Sequence, residues 1–185
     1  MQELSLNILD IAENSVKAGA SLITVAVCYR PAADRLTVTI TDDGCGMDAE
    51  TVRKVTDPFY TTRTTRKVGL GIPLMMQNAR LAGGDVRIDS TLGQGTTLTA
   101  TLHGDSIDCL PLGDLAGTVV SLVSANPERP DFRLSCSSPK GSMDFDTREM
   151  RQALGNVPLN EPEITAWMLS AIQEEIEPIF GGVIQ

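Results

Sequence analysis

Leu36-Thr37-Val38-Thr39-Ile40-Thr41-Asp42-Asp43-Gly44-Cys45-Gly46-Met47 alternates apolar and hydroxyl side chains for six residues, then breaks into two carboxylates and two glycines. Such an alternation, rich in β-branched residues, is a strand with one buried face, and the glycines after it allow a turn whose backbone can approach a neighbour closely. Upstream, Leu22 to Tyr29 has the same character, and Pro31 to Arg35 joins the two runs as a hairpin. Ahead of the hairpin, Leu4, Ile8, Ile11, Ala12, Ser15 and Val16 recur at helical steps within Glu3 to Lys17 and mark a face for a core. On the same helix Asn7, Asp10, Asn14 and Lys17 fall at steps of three, four and three, a polar line along one side.

Downstream of the glycine turn, Asp48 is placed to cap a short helix over Ala49 to Val55, and a Thr- and Arg-rich loop runs from Asp57 to Val68. Leu70 to Leu81 resumes helical spacing and stops at Gly83-Gly84. Asp85 to Asp89 and Thr96 to Leu102 then read as strands across a Gly93-Gln94-Gly95 turn. This order predicts an α+β, two-layer sandwich over residues 1–104. From Asp105 to residue 185 the texture changes into a smaller α+β extension. Strands are expected at Gly117 to Ser124 and Asp131 to Cys136, a helix over Thr147 to Leu154 behind Asp146, and another over Glu161 to Glu177 with Asn160 as N-cap and Pro162 in its first turn. In that last helix Ile164, Trp167, Met168, Ala171 and Ile172 form a stripe expected to face a core. A second small folding unit and a homodimer interface both suit this extension.

Of 185 residues 42% are hydrophobic, enough for a real core but too few for two full-sized domains. The net charge of -9 opposes phosphate backbones, so nucleic acid is not an expected partner. The acidity is concentrated in the extension, with 5 Lys/Arg against 13 Asp/Glu after residue 104 and 10 against 11 before it. Cys28, Cys45, Cys109 and Cys136 lie far apart and the one histidine cannot complete a zinc set, so reduced thiols are expected. No stretch has the length of a membrane span and the first residues lack the pattern of a signal peptide, so a cytoplasmic protein with no membrane partner is expected.

Four short motifs can carry chemistry. In Asp10-x-x-x-Asn14 an amide oxygen can ligate magnesium, while a carboxylate one turn earlier can hold the water or hydroxyl that attacks phosphorus. In Asp42-Asp43-Gly44-Cys45-Gly46-Met47 a buried carboxylate can accept from an exocyclic amine, with glycines admitting a flat ring alongside. Gly69-Leu70-Gly71 opens a helix whose free amides attract phosphate. Leu92-Gly93-Gln94-Gly95-Thr96 reads alone as a hairpin turn. Cys45 within its box reads as a small buried filler, and His103 as an ordinary strand-end histidine.

Taken in sequence, the N-box from Asp10 to Ala20, the D-x-G-x-G box, Asp57-Pro58-Phe59-Tyr60-Thr61-Thr62-Arg63, Gly69-Leu70-Gly71-Ile72 and Ser90-Thr91-Leu92-Gly93-Gln94-Gly95-Thr96 resemble the GHKL superfamily. That superfamily takes in DNA gyrase, heat-shock chaperones, sensor histidine kinases and MutL-type mismatch-repair ATPases. The resemblance spans residues 3–102 and implies a Bergerat-type sandwich with a mixed sheet, holding ATP and magnesium beneath a lid. It makes Asn14 the magnesium ligand, Asp42 the adenine reader, Gly44, Gly46 and Met47 the turn beside the ring, and Gly69, Leu70 and Gly71 the phosphate cradle. Thr96 corresponds to a hydroxyl supporting the adenine-binding carboxylate, and Lys17 to a basic residue near the phosphates. Phe59, Thr62 and Arg63 fall in the lid with Arg66 and Lys67, whose charges suit the terminal phosphate.

Only about ten residues separate Phe59 from Gly69, a lid length similar to that of nitrogen-regulation sensor kinases. Asp10, in contrast, resembles the catalytic carboxylate of GHKL ATPases and anti-sigma kinases, and a phosphoacceptor helix ahead of the N-box is not expected. The resemblance therefore implies a stand-alone ATPase or protein kinase acting on a partner protein in trans. A nucleotide-gated binding module without turnover is the competing expectation.

Overall fold

A computed structural model of the chain describes residues 3–57 and 71–181. In order the elements are α1 (Leu4–Lys17), β1 (Leu22–Arg30), β2 (Arg35–Asp42), α2 (Ala49–Thr56), α3 (Gly71–Leu81), β3 (Asp85–Thr91), β4 (Gly95–Leu102), α4 (Leu115–Ala125), β5 (Asp131–Ser138), β6 (Gly141–Asp146), α5 (Thr147–Leu154) and α6 (Pro162–Phe180). The strands form one mixed sheet in the order β3-β4-β2-β1-β5-β6. Every neighbouring pair is antiparallel except β1 and β5, which run parallel with Ile23 opposite Phe132. Helices α3, α1, α4 and α6 contact one another in that series and make the second layer. The fold is the α+β two-layer sandwich that the motif order implies.

The period of two decides what the layers share. Leu36, Val38 and Ile40 of β2 are buried, and the same phase carries Asp42 to the buried face. Ile23, Val25, Val27 and Tyr29 of β1 and Leu98, Ala100 and Leu102 of β4 complete that face against Leu4, Ile8, Ile11 and Ala12 of α1 and Met75 and Ala79 of α3. Thr37, Thr39 and Thr41 stand on the opposite, half-open face.

Asp43, one residue out of phase, points the other way and ties down the start of β1. Its Oδ1 accepts from the Ser21 N–H at 2.7 Å and the Leu22 N–H at 2.9 Å, and its Oδ2 accepts from the Ser21 hydroxyl. The Ser21 hydroxyl, with these two amides, outweighs partial desolvation and holds the Asp43 carboxyl below its ordinary range. A carboxyl held low contributes stability that is present above its unfolded value and lost as pH falls through the folded one. The stability gap between wild type and Asp43→Asn should therefore be about 1 kcal/mol near pH 7 and close as pH drops below about 4. Urea titrations across that range check this, and a gap that persists at pH 2.5 would show that Asp43 works without its charge.

The extension is stitched to the first helix as well as to the sheet. The Leu4 and Ser5 N–H groups, two of the free donors at the start of α1, find the carbonyls of Pro111 and Leu112 at 2.9 Å. Gly117 to Ser124 is a helix, not the expected strand. Leu115, Thr118, Val119, Leu122 and Val123 are buried at helical spacing and Asp114 caps the first turn, accepting from the Gly117 N–H at 2.8 Å. Burial against α1 and α6 overrides the β-preference of the Thr-Val-Val run. In α6 the N-cap is Glu161 rather than Asn160, with no side-chain cap, and the helix continues to Phe180. Met168 and Ile172 are core as expected, but Trp167 is 58% exposed because one helix position out of phase turns it outward. Among the described residues no helix is long and apolar enough to cross a membrane.

Candidate functional site

Where β2 ends and α1 passes over it, a cavity of about 250 Å³ opens between the layers. Its apolar walls include Ile11, Ile40, Ile72 and Leu98, and Thr51 and Val55 close one side from α2. Among the described residues Asp42 is the one carboxylate in this lining. Its Oδ2 accepts from the Ser15 hydroxyl at 2.5 Å and its Oδ1 from the Gly44 N–H at 2.9 Å. These two bonds orient the carboxylate in apolar surroundings and leave acceptor capacity on each oxygen.

The turn after Asp42 is clamped on several sides. The Cys45 N–H donates to the Ala18 carbonyl at 2.9 Å, the Gly93 N–H to the Cys45 carbonyl at 2.7 Å, and the Met47 N–H to the Ser90 hydroxyl at 2.8 Å. Gly46 has φ +64°, and a Cβ there would stand 2.0 Å from the Thr91 carbonyl oxygen, so this position requires glycine. A Cβ on Gly44 would meet Ala18 at 3.0 Å. The two glycine-bearing turns thus fit against each other, and Cys45, Gly46 and Met47 reach the cavity. Cys45 is exposed, not the buried filler expected, because the clamp turns its side chain to the mouth of the cavity.

Asn14 lines the cavity; Asp10, a turn earlier on α1, does not. Asp10 lies beneath the first residue of α3, where a Cβ on Gly71 would come within 2.7 Å of the Asp10 Cβ. Gly71 therefore sets how closely the start of α3 approaches α1. The fit is fixed further along by Asn78, whose amide donates to the Asn7 Oδ1 at 2.9 Å in the buried seam between the two helices. Lys17 is exposed, beside Glu13 at 3.7 Å, and is not in the cavity wall. Thr96 stands opposite Asp42 in register and lines the cavity, but its hydroxyl lies 2.9 Å from that of Ser90, and the hydroxyl on Asp42 is Ser15's. Phe59, Thr62, Arg63, Arg66, Lys67, Gly69 and Leu70 lie outside the described residues.

Ser15, Thr51 and Val55 are the site residues that motif reading misses. For Ser15 a signal exists: a hydroxyl within an otherwise apolar stripe, one position after Asn14, needs a polar partner in the core. Thr51 and Val55 have none, since their place depends on how α2 folds back over the cavity.

The geometry agrees with what comparison finds. Residues 1–106 match the family described as histidine kinase-, DNA gyrase B-, and HSP90-like ATPase. Over 102 residues the chain is 31% identical to the signal transduction histidine-protein kinase AtoS of Escherichia coli, covering 55% of this chain and 16% of that protein. It is 33% identical over 85 residues to the sensor histidine kinase WalK of Bacillus subtilis, covering 43% and 14%. The chain thus matches about one-sixth of the length of these relatives. A solved N-terminal domain of a DNA repair protein superposes on 79% of this chain and 52% of that one, with a TM-score of 0.48 at 13% identity. With more than half its length matched, the chain belongs to the histidine kinase-, DNA gyrase B- and HSP90-like ATPase family.

Proposed function

We propose that the chain binds ATP with magnesium at the Asp42 cavity and transfers the terminal phosphoryl group in trans to a partner protein, or to water. The observation that supports this most is one oriented carboxylate in a slot of about 250 Å³ walled mainly by Ile11, Ile40, Ile72, Leu98 and Val55. That combination suits a purine, whose faces are apolar and whose exocyclic amine needs an acceptor.

The donors nearby also fit magnesium, a hard ion that keeps several waters and substrate oxygens and needs only one or two ligands from protein. Asn14 supplies an amide oxygen and Asp10, one turn away, a carboxylate. When bound, magnesium neutralises phosphate charge. In this reading Asp10, set under the start of α3 and outside the ring slot, orients a nucleophile or takes its proton.

Asp10→Asn tests this role. Phosphate release should fall ~10²–10⁴-fold while ATP binding stays within about threefold of wild type. A second reading, a nucleotide-gated module without turnover, draws on α2, which has no buried residue yet supplies Thr51 and Val55 to the cavity wall. It is favoured if wild type releases no phosphate even with its partner.

Binding itself has a simple reporter. Cys45 is exposed at the cavity, whereas Cys136 is buried and its thiol pushed up to about 12 by that burial, so it does not compete for alkylating reagents. At an ATP concentration a hundred times Kd, alkylation of Cys45 should slow about a hundredfold, as the free fraction does. Mass spectrometry of labelled peptides measures this; an unchanged Cys45 rate at saturating ATP contradicts binding at this cavity.

A further inference from the structure

Two cavities open in the extension, where α6 runs past the loop ahead of α4. The larger, about 490 Å³, has Asp114, Leu115 and Ala116 on one wall and Gln173, Glu174 and Ile176 on the other. The smaller, about 230 Å³, continues it over Leu112 and Phe180, and Gly113, Ile176 and Glu177 border both. Together they make one groove along α6 from Gln173 to Gly181, ~12 Å at ~1.5 Å per residue. Its loop wall is fixed in place, because Pro111 and Leu112 accept the Leu4 and Ser5 N–H groups of α1. Asn14 of the nucleotide slot stands ten positions further along α1, ~15 Å away along the helix axis. A partner seated in the groove therefore leaves that slot open.

The charges around the groove are one-sided. Among the described residues no lysine or arginine lines either cavity, and neither Glu174 nor Glu177 has an ion-pair partner. Lys140 reaches only the far end, donating to the Gly181 carbonyl at 3.1 Å. Glu174 and Glu177 stand one turn apart on α6 and repel each other. They also lie near the end of a helix with no basic residue in its last turn, where the backbone dipole is negative. A cation brought to this end of α6 relieves both conflicts. On the same line of the helix, two turns before Glu174, Trp167 is 58% exposed and offers an aromatic face on which a guanidinium can stack.

We propose that this groove docks a basic amphipathic segment of a partner protein. An apolar side chain of the segment fills the cavity between α4 and α6, Lys or Arg side chains meet Glu174 and Glu177, and an arginine stacks on Trp167. Charge complementarity selects this occupant. The extension, with 5 Lys/Arg against 13 Asp/Glu, attracts a basic chain and repels a second copy of itself. Docking needs no phosphoryl transfer and holds under either reading of the nucleotide site.

The probe is a synthetic peptide of ~14 residues, long enough as a helix to run from Trp167 past Glu177. It is built of Arg, Leu and Ala, with Arg and Leu on one face and neutral ends. Titration calorimetry with the full chain at ~0.15 M salt should detect binding. Glu174→Lys with Glu177→Lys should weaken it at least ~tenfold, and Glu174→Gln with Glu177→Gln should fall between that and wild type. Glu128→Lys with Glu175→Lys makes the same change in net charge at exposed positions outside the groove and should stay within ~threefold of wild type. Emission from Trp167, the one tryptophan, should change at saturating peptide. No binding at ~1 mM peptide overturns the proposal. Equal weakening by the two charge reversals overturns it too, since net charge alone then attracts the peptide. If a peptide with serine in place of leucine binds as well, any polycation suffices and the groove is not used. Unchanged Trp167 emission places the peptide elsewhere. Sedimentation that shows a wild-type dimer lost in Glu174→Lys with Glu177→Lys makes a second copy the occupant instead.

Discussion

Replacing Asp42 with alanine should weaken ATP binding by at least ~100-fold. A hydrogen bond to a charged acceptor contributes ~1.5–3 kcal/mol, and the adenine amine would then face an apolar wall, adding the cost of an unmet donor. The free protein loses stability too, because the Ser15 hydroxyl and the Gly44 N–H both give up the acceptor they hold at 2.5 and 2.9 Å. About 2–4 kcal/mol is expected for two such buried donors. Asp42→Asn keeps one carbonyl oxygen and should sit between alanine and wild type in both quantities. Titration calorimetry at 25 °C and urea unfolding on the same preparations measure them. Asp42→Ala that binds ATP within threefold of wild type would mean the purine is read elsewhere.

Gly46→Ala should be the most damaging small substitution in the glycine turn. Its φ of +64° costs an L-residue ~1 kcal/mol, and the new Cβ would lie 2.0 Å from the Thr91 carbonyl oxygen, a backbone atom that moves only with β3. Forcing the two turns apart also strains the Gly93-to-Cys45 and Met47-to-Ser90 bonds, so a loss of ~3 kcal/mol or more is expected. Gly93→Ala is the control. Its φ is +78° but nothing lies within 4 Å of its Cβ position, so only the ~1 kcal/mol conformational cost applies and ATP binding should persist. Equal losses for the two variants would show that the tight fit between the turns does not matter.

Much of the site is legible in the sequence because it depends on local periodicity. Asp42 follows Leu36, Val38 and Ile40 in phase, so a strand that buries those three must bury the carboxylate with them. Asp48 caps α2 as its position suggests, accepting from the Thr51 N–H at 2.7 Å. What stays hidden depends on distant partners. The parallel pairing of β1 with β5 joins residues more than a hundred positions apart and leaves no local mark. Gly117 to Ser124 looks extended by composition and is helical by burial, although Asp114 and the spacing of Leu115, Val119 and Leu122 carry the correct signal. Cys45 and Trp167 depart from expectation for a related reason: residue type predicts burial on average, whereas a clamped turn or one step of helical phase decides the individual case. Thr96 stands opposite Asp42 in register, while the hydroxyl that donates to the carboxylate is that of Ser15, a contact set by how α1 crosses β2.

The most direct measurement of the central claim is a crystal structure of the chain with a non-hydrolysable ATP analogue and magnesium. It should show the purine between Ile40, Ile72 and Leu98 with its exocyclic amine within hydrogen-bond distance of Asp42, and the metal on the Asn14 amide oxygen. A purine bound away from Asp42, or a cavity left empty at saturating analogue, would contradict the account.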